Sequence, residues 1–494
     1  MDGNLLLVAM LSAPAVFAGV CLLLRSARAV IIFCAVGTAI VALLAGTAVW
    51  SHFSGRLSFA GDRWFTLDAL SAYHVGIMII IFTMSALYGV GYFREEIERG
   101  EFTRKMARRY GALWFGAFGA MLLVLLSNNL VMMWVGIEAT TLLTAFLICI
   151  HVAPASLEAM WKYLIMCSVG VAVAFMGTLL VAASTANTGL QGTSALMWTN
   201  LMDTASKLNP ALIKAGFIFI VVGYGTKAGL APMHNWLPDA HSQAPAPISA
   251  VFSGFLLNTA LYCILKYLPI VEAATGNTGW GRGILVALGL LSILVAAVFI
   301  VAQHDVKRLL AYHSVEHLGI ISLGIGLGGI GCLAGLFHIL NHSLCKTLSF
   351  FCAGRLGQVY RTHDMRQMTS VVKCSPCWGI GLIGSLLALI GVAPFSLFLS
   401  EFMILKGAFD GGSFIAAVVF LAGLGIVFVG ALKHVMSMAW EPPASPREPA
   451  EASSFFEYAL VFGTLAVILV LGLWVPQPLM NVLNSAAHVL GGGI

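Results

Sequence analysis

The stretch GLAPMHNWLPDA, residues 229–240, interrupts a long apolar run with a glycine, two prolines and a carboxylate. A second stretch, GVAPFSLFLSEF at 391–402, aligns with it without a gap. Gly229 falls on Gly391, Ala231 and Pro232 on Ala393 and Pro394, Leu237 on Leu399, and Asp239 on Glu401, all at an offset of 162 residues. Proline cannot donate to a helical ladder and glycine loosens one, so each stretch predicts a helix broken in its middle. In hydrocarbon, the backbone groups freed by such a break must find partners in protein or in a wet cavity. Two matched breaks, each followed by a carboxylate, point to an internal duplication that carries a site.

The surroundings place these breaks in a membrane. The 494 residues are 60% hydrophobic and only 10% charged, with a mean hydropathy of +0.94. Apolar runs of about 20 residues recur from end to end, each long enough to cross about 30 Å of hydrocarbon. The first, LLLVAMLSAPAVFAGVCLLL, lacks the charged n-region and cleavage site of a signal peptide and is read as a retained helix. Fourteen spans follow from the pattern, the seventh at 211–241 and the twelfth at 376–409 containing the breaks. The expected fold is an all-α polytopic membrane protein with no soluble domain. The ten cysteines lie mostly in apolar runs, and CSPC at Cys374 to Cys377 reads as a loop with two incidental thiols.

Charge sets the orientation. With residues near span ends counted in the adjoining loop, 17 Lys or Arg follow odd-numbered spans and 5 follow even-numbered ones. The positive-inside rule then makes the odd loops cytoplasmic and puts both termini on the outer, periplasmic side of the inner membrane. The largest basic cluster, FREEIERGEFTRKMARRY between spans three and four, reads as a cytoplasmic amphipathic segment lying on the surface. The net charge of +5 reflects this topology and carries no nucleic-acid footprint.

A second internal match sets NLVMMWVGIEATTLL from Asn129 against KRLLAYHSVEHLGII from Lys307, bringing Glu138 opposite Glu316 and Trp134 opposite Tyr312. The repeat is therefore about five helices, spans 4–8 and 9–13. An odd number of helices inverts one copy relative to the other, an architecture in which discontinuous helices hold the site. The expected domains are 1–109 (spans 1–3 and the amphipathic segment), 110–270 and 281–440 (the two repeats), and 441–494 (span 14 and a short tail).

Charges inside the spans are the candidate site. Lys227 and Glu138 lie deep in apolar sequence, where an unpaired charge costs several kcal/mol. Lys307, His338, His342, Lys346 and Glu401 complete the set. His338, His342 and Lys346 are four apart and stack on one helix face, as one segment of a proton wire would. His234, Asp239 and His241 read as titratable groups at the mouth of a half-channel, with a metal site as an alternative, while Lys214 and Lys266 read as structural. HSVEH (His313, Glu316, His317) matches the H-x-x-E-H zinc pattern, but a third ligand is not evident in the sequence, and no metal is assigned; Glu316 and His317 are read as accessory or half-channel groups. GIGLGG from Gly324 ends a span rather than following a strand and reads as a turn. His363, in a polar loop, is expected to have no relay role.

SNNLVMMWVGIEATTL, LEAMWKYLI, GTKAGLAPMHNWLPDAHSQAPAPISA, VKRLLAYHSVEHLGI and NHSLCKTLSFFCAG together resemble the antiporter-like subunits shared by complex I (NADH:quinone oxidoreductase), Mrp-type antiporters and group 4 membrane-bound hydrogenases, the hydrogenase-4 component F type above all. The resemblance implies that Glu138 pairs with Lys227, that Lys307, His338, His342 and Lys346 form a central link, and that Glu401 faces a further half-channel. Some relatives carry histidine where this chain has Ser253, and lysine where it has Glu401. The chain ends about 20 residues after Trp474, too soon for the long lateral helix of the largest complex I subunit.

The implied function is ion translocation, of protons with sodium as the alternative, by a subunit without redox chemistry or cofactor of its own. Its implied partners are further antiporter-like membrane subunits, cytoplasmic [NiFe]-hydrogenase-like and iron–sulfur subunits, and the lipid bilayer. Membership of an Mrp-type Na+/H+ antiporter is the second reading, and a membrane partner energising a soluble zinc enzyme for inorganic carbon uptake is the third. The charge bias makes a direct prediction: a cysteine introduced at Glu101 is labelled by an impermeant reagent from the cytoplasmic face only. Labelling from outside would reverse the orientation.

Overall fold

The computed structural model describes residues 3–57, 64–442 and 453–491. Helices α1 (Gly3–Leu23), α2 (Ala27–Phe53), α3 (Ala69–Glu98), α4 (Arg104–Leu126), α5 (Leu130–Ile148) and α6 (Pro154–Ala183) run in succession. A loop with the short α7 (Trp198–Asp203) leads to the first broken pair, α8 (Pro210–Ala228) and α9 (Trp236–Gln243). α10 (Ala246–Val251) passes through a π-helical turn into α11 (Leu257–Thr275), and α12 (Thr278–Val301), α13 (Val306–Leu327) and α14 (Gly329–Tyr360) follow. The short α15 (Val371–Cys374) precedes the second broken pair, α16 (Pro376–Leu389) and α17 (Ser396–Asp410); α18 (Phe414–Trp440), α19 (Phe455–Leu473) and α20 (Gln477–Val489) come last.

Among the described residues, eleven helices are long and apolar enough to cross a membrane, one of them the continuous 246–275 segment. The three other expected spans are α13, α14 and the α16–α17 pair, set apart by their polar residues or their break. Both breaks are built alike. Gly229 (φ 80°) and Gly391 (φ 70°) end the first halves in left-handed backbone, and the Ala231–Pro232 and Ala393–Pro394 bonds that follow are cis. Left-handed conformation is nearly free for glycine and unfavourable for other residues. Gly391 has a second duty, because a Cβ there would run into the Glu401 carboxylate.

The chain divides into two compact units. One comprises Met1–Gly229, Leu256–Ile284 and Val482–Ile494; the other comprises Leu230–Phe255 and Leu285–Asn481. In the first, α6 and α8 meet at glycines: a Cβ on Gly177 would lie 2.6 Å from the Gly216 carbonyl oxygen, and one on Gly223 2.5 Å from that of Gly170. Small residues let membrane helices approach backbone to backbone, where dispersion forces replace the missing hydrophobic drive. In the second unit, Ile293, Ile320, Leu323, Ala334, Ile404, Ala416 and Phe420 form a buried cluster. There the Ser292 hydroxyl takes up the Ala231 N–H freed by the first break, at 2.9 Å.

Two local expectations need correction. The basic connection after span three is not a separate surface segment: α3 runs on to Glu98, α4 starts at Arg104, and Thr103 caps it. Its charges extend two helices beyond the apolar zone, with Arg94, Arg99, Glu95 and Glu98 paired along α3. The C-terminal tail contains a helix, α20, whose Leu483, Ala486, Ala487 and Leu490 are buried at helical spacing. Arg282 holds its end, donating to the Leu490 carbonyl at 2.7 Å while paired with Glu272 at 2.5 Å. A 13-residue helix of mixed polar and apolar residues gives no membrane-length signal. The His363 ring packs into the space that Gly357 leaves, and burial pushes its pKa down to about 3. The termini, expected on the outer side, lie outside the described residues.

The close approach of α6 and α8 yields a prediction. Gly223→Val should cost about 3 kcal/mol and lower the melting temperature sharply, whereas Gly91→Ala, with nothing within 4 Å of the added methyl, should change stability by no more than about 1 kcal/mol. Equal effects would show that α6 and α8 do not pack this closely.

Candidate functional site

The first unit contains a buried ammonium group surrounded by hydroxyls. Lys227 lies in the last turn of α8 and is fully buried. The break at Gly229 leaves the final carbonyls of α8 without helical partners, so the negative end of the helix dipole favours a cation there. Nζ donates to Thr141 Oγ1 at 3.0 Å and to the Tyr163 hydroxyl, and stands 4.5 Å from the Tyr163 ring centroid. The Tyr163 hydroxyl in turn meets Thr144 Oγ1 at 2.5 Å. Glu138, Thr141 and Thr144 recur every three residues on α5, which places them on one side of the helix.

The implied Glu138–Lys227 pair is not a direct contact. Glu138 Oε1 accepts from Ser168 Oγ at 2.8 Å, and its Oε2 is buried with no hydrogen-bond partner. The ammonium instead reaches Thr141, almost one turn further along α5. Lys266 is the better-paired base, 2.5 Å from Asp68 and 3.5 Å above the Trp198 ring centroid. Lys214 lies over Trp280.

The second unit holds the remaining candidates. His338, His342 and Lys346 do share one face of α14, and all three are fully buried. Their hydrogen bonds leave that face sideways rather than running along it. His317 Nδ1 and His338 Nε2 are 2.9 Å apart, and His338 Nδ1 is 2.8 Å from Ser400 Oγ on α17, next to Glu401. On α13, His313 Nδ1 meets Glu316 Oε2 at 2.8 Å. The His317 ring centroid is 5.2 Å from that of His342, whose two nitrogens have no partner. Lys346 donates to the Leu310 carbonyl. Glu401 is 6% exposed, with Oε1 unpartnered.

Lys307 donates to the carbonyls of Ser242 and Ala244, at 3.0 and 2.6 Å, where the chain turns after α9. Arg308 pairs with Asp239 at 2.5 Å, so this aspartate is neutralised rather than free to bind a metal. His241 stacks on Phe350 with both nitrogens unpartnered, and His234 packs near Tyr312. Ser253, in the π-helical turn, contacts Ser314 Oγ at 2.7 Å. All ten cysteines are free, including Cys374 and Cys377, and Gly328 and Gly329 form the turn between α13 and α14.

The structure thus moves Glu316 and His317 from accessory positions to the centre of the network, and gives His313 a partner. Reading by helix missed Tyr163, Ser168, Ser400 and Asn341, the last donating to the Ser396 carbonyl at 3.1 Å; each serves a group on another helix. The threonines of α5 left a trace, a three-residue period in phase with Glu138.

Residues 127–427 match the family described as NADH:quinone oxidoreductase/Mrp antiporter, TM. The chain belongs to this family. A Hydrogenase-4 component F homolog of Methylacidiphilum infernorum (isolate V4) is 37% identical over 454 residues, covering 88% of this chain and 95% of that protein. Hydrogenase-4 component B of Escherichia coli (strain K12) is 30% identical, over 77% of this chain and 56% of its own length. Among solved structures, a chain of the membrane-bound sulfane sulfur reductase (MBS), an archaeal respiratory membrane complex, has a TM-score of 0.85 at 22% identity, covering 98% of this chain and 97% of that one. A chain of the Mrp complex from Dietzia sp. DQ12-45-1b has a TM-score of 0.83 at 19% identity, covering 99% and 97%. At these identities the structural likeness speaks to fold alone. The protein is an antiporter-like membrane subunit, homologous to hydrogenase-4, formate hydrogenlyase and NADH-quinone oxidoreductase subunits.

In this antiporter-like subunit, Tyr163 and Thr141 share the work of solvating Lys227. Tyr163→Phe and Thr141→Val should each cost about 1–3 kcal/mol, the typical penalty for a buried donor that loses a partner. The double variant should depart from additivity, because both act on one ammonium. Melting of the detergent-solubilised protein measures this; strict additivity would place the two hydroxyls in independent roles.

Proposed function

We propose that this subunit moves protons across the inner (cytoplasmic) membrane within a multi-subunit oxidoreductase of the hydrogenase-4 type, and performs no redox chemistry itself. Glu138 and Lys227 are the exchanging groups of the first unit. Lys307, Glu316, His317, His338, His342, Lys346 and Glu401 are those of the second. The observation that carries this reading is the His317–His338–Ser400 chain, flanked by buried histidine and carboxylate atoms that have no partner in protein. A protein interior normally satisfies its polar groups. Such a concentration of exceptions on histidine and carboxylate groups, with Asn341 Oδ1, Thr347 Oγ1 and Ser396 Oγ among them, suits transient occupation by protons and water rather than a fixed structural role.

Each transfer needs donor and acceptor within hydrogen-bond reach or one water apart, which the imidazole pair meets directly. His342, without a protein partner, takes its turn through water. The homologous subunits of hydrogenase-4 and NADH-quinone oxidoreductase favour neighbouring antiporter-like and cytoplasmic redox subunits, and the loop charges favour a cytoplasmic position for the turn between α3 and α4. Sodium remains the alternative ion, and its transport would follow the same carboxylates.

The test is proton uptake by membrane vesicles driven by the complex's own electron donor. Lys227→Ala and His317→Gln should each abolish uptake, or reduce it at least tenfold, with the complex still assembled. His342→Gln should reduce it less than His317→Gln. His488→Gln, on the exposed side of α20, should pump normally. Full pumping by both Lys227→Ala and His317→Gln would overturn the reading.

A further inference from the structure

The H-x-x-E-H motif on α13 lacks a third ligand in sequence, and the fold supplies one from elsewhere. His317, on α13, meets His338 of α14 and Glu401 of α17, with one ligand atom of each lying within 4.8 Å of the others. His313, Glu316 and His317 form a second such group, sharing His317. All five side chains are buried, Glu401 alone retaining 6% exposure. Four atoms of this cluster have no hydrogen-bond partner: His313 Nε2, Glu316 Oε1, His317 Nε2 and Glu401 Oε1.

We propose that this cluster is a binding site for one divalent transition-metal ion of the zinc type, ligated by His317, His338 and Glu401. The chemistry of the donors selects the ion. Imidazole suits zinc and its neighbours, whereas sodium, magnesium and calcium prefer oxygen-only cages. Two imidazoles and a carboxylate are a ligand set that holds zinc with one position open. Glu401 and Glu316 bring two buried carboxylates to a divalent ion; among the described residues no lysine or arginine is seen within ion-pairing distance of either, and the buried Lys346 acts on Glu316 from beyond that distance. An ion at about 2.0–2.2 Å from each ligand sets tetrahedral ligand atoms roughly 3.3–3.6 Å apart, so binding replaces the 2.9 Å His317–His338 hydrogen bond with two bonds to the ion, and the Glu401 carboxylate, within 4.8 Å of both, supplies the third. His313, already bonded to Glu316, then orients the second carboxylate toward the ion, as outer-shell partners do.

Binding is read without reference to transport. The intact complex, stripped with a chelator, is titrated with Zn2+ and assayed for bound metal after desalting. One tightly held ion per chain is expected, with X-ray absorption showing two imidazole nitrogens and carboxylate oxygen. His338→Gln and Glu401→Gln, close in shape to the residues they replace, should each weaken binding about 100-fold, while His488→Gln leaves it unchanged. Each variant's melting temperature in the absence of metal checks that the fold is retained. Absence of saturable binding, or binding equal in all variants, would overturn the site. A bound ion should also stop proton uptake, a consequence that rests on the proposed function. Pumping that continued with the site filled would keep the metal site and remove His317 and His338 from the proton path.

Discussion

A polar group placed in hydrocarbon has no water to turn to, and nearly every particular of this structure answers that constraint. Lys227 is the sharpest case. Its ammonium is fully buried without a carboxylate in contact, and hydroxyls from α5 and α6 take the place of water. Those hydroxyls can reach it because α6 and α8 approach each other through Gly170, Gly177, Gly216 and Gly223. The glycines, the hydroxyls and the lysine form one arrangement: side chains between the two helices would hold Tyr163 away from Lys227 and leave a buried charge unsolvated. The cage supplies the ammonium with dipoles but no formal counter-charge.

The helix breaks obey the same constraint in the backbone. At Gly229 and Gly391 the ladder stops, and left-handed glycine turns the chain without steric cost. The first break presents the carbonyl end of α8 to Lys227; beyond it, Ser292 accepts the freed N–H of Ala231. The second break leaves room for a carboxylate, since a Cβ at Gly391 would force the Glu401 carboxylate to move. Aligned glycines therefore serve groups of opposite charge, a lysine two residues before one break and a glutamate ten residues after the other.

The fold was legible because its signals are local. Apolar runs of membrane length, two Gly-x-Ala-Pro breaks at one offset, and the identities of the buried charges can all be read along the chain. The site was legible only as a set of residues. Which of them touch depends on helices far apart in sequence: His338 reaches His317 across 21 residues and Ser400 across 62. The column of His338, His342 and Lys346 was correctly read as one face, but a helix face says nothing of what packs against it. That is why Glu316 and His317, set aside as accessory, stand at the centre, and why the implied Glu138–Lys227 pair gives way to Ser168 on one side and Thr141 with Tyr163 on the other. α20 was missed for a different reason. It lies in a short, mixed stretch and owes its place to Arg282 and Glu272, not to its own hydropathy.

The same cluster that suits proton passage also suits a metal, and the two demands are linked. Zinc binds imidazole only through an unprotonated nitrogen and carboxylate only in its ionised form, so binding an ion must expel any proton held at those atoms. Proton occupancy and metal occupancy of His317, His338 and Glu401 are therefore mutually exclusive, and by linkage each must weaken the other by the same factor. On the proposed reading the site needs no protonation state held firmly, and its buried nitrogen and oxygen atoms without a protein partner meet that need. Those unpartnered atoms are also what a cation requires. If both proposals hold, susceptibility to transition metals follows from the same unpartnered atoms that serve proton transfer, and filling those positions with fixed hydrogen bonds would remove both properties together.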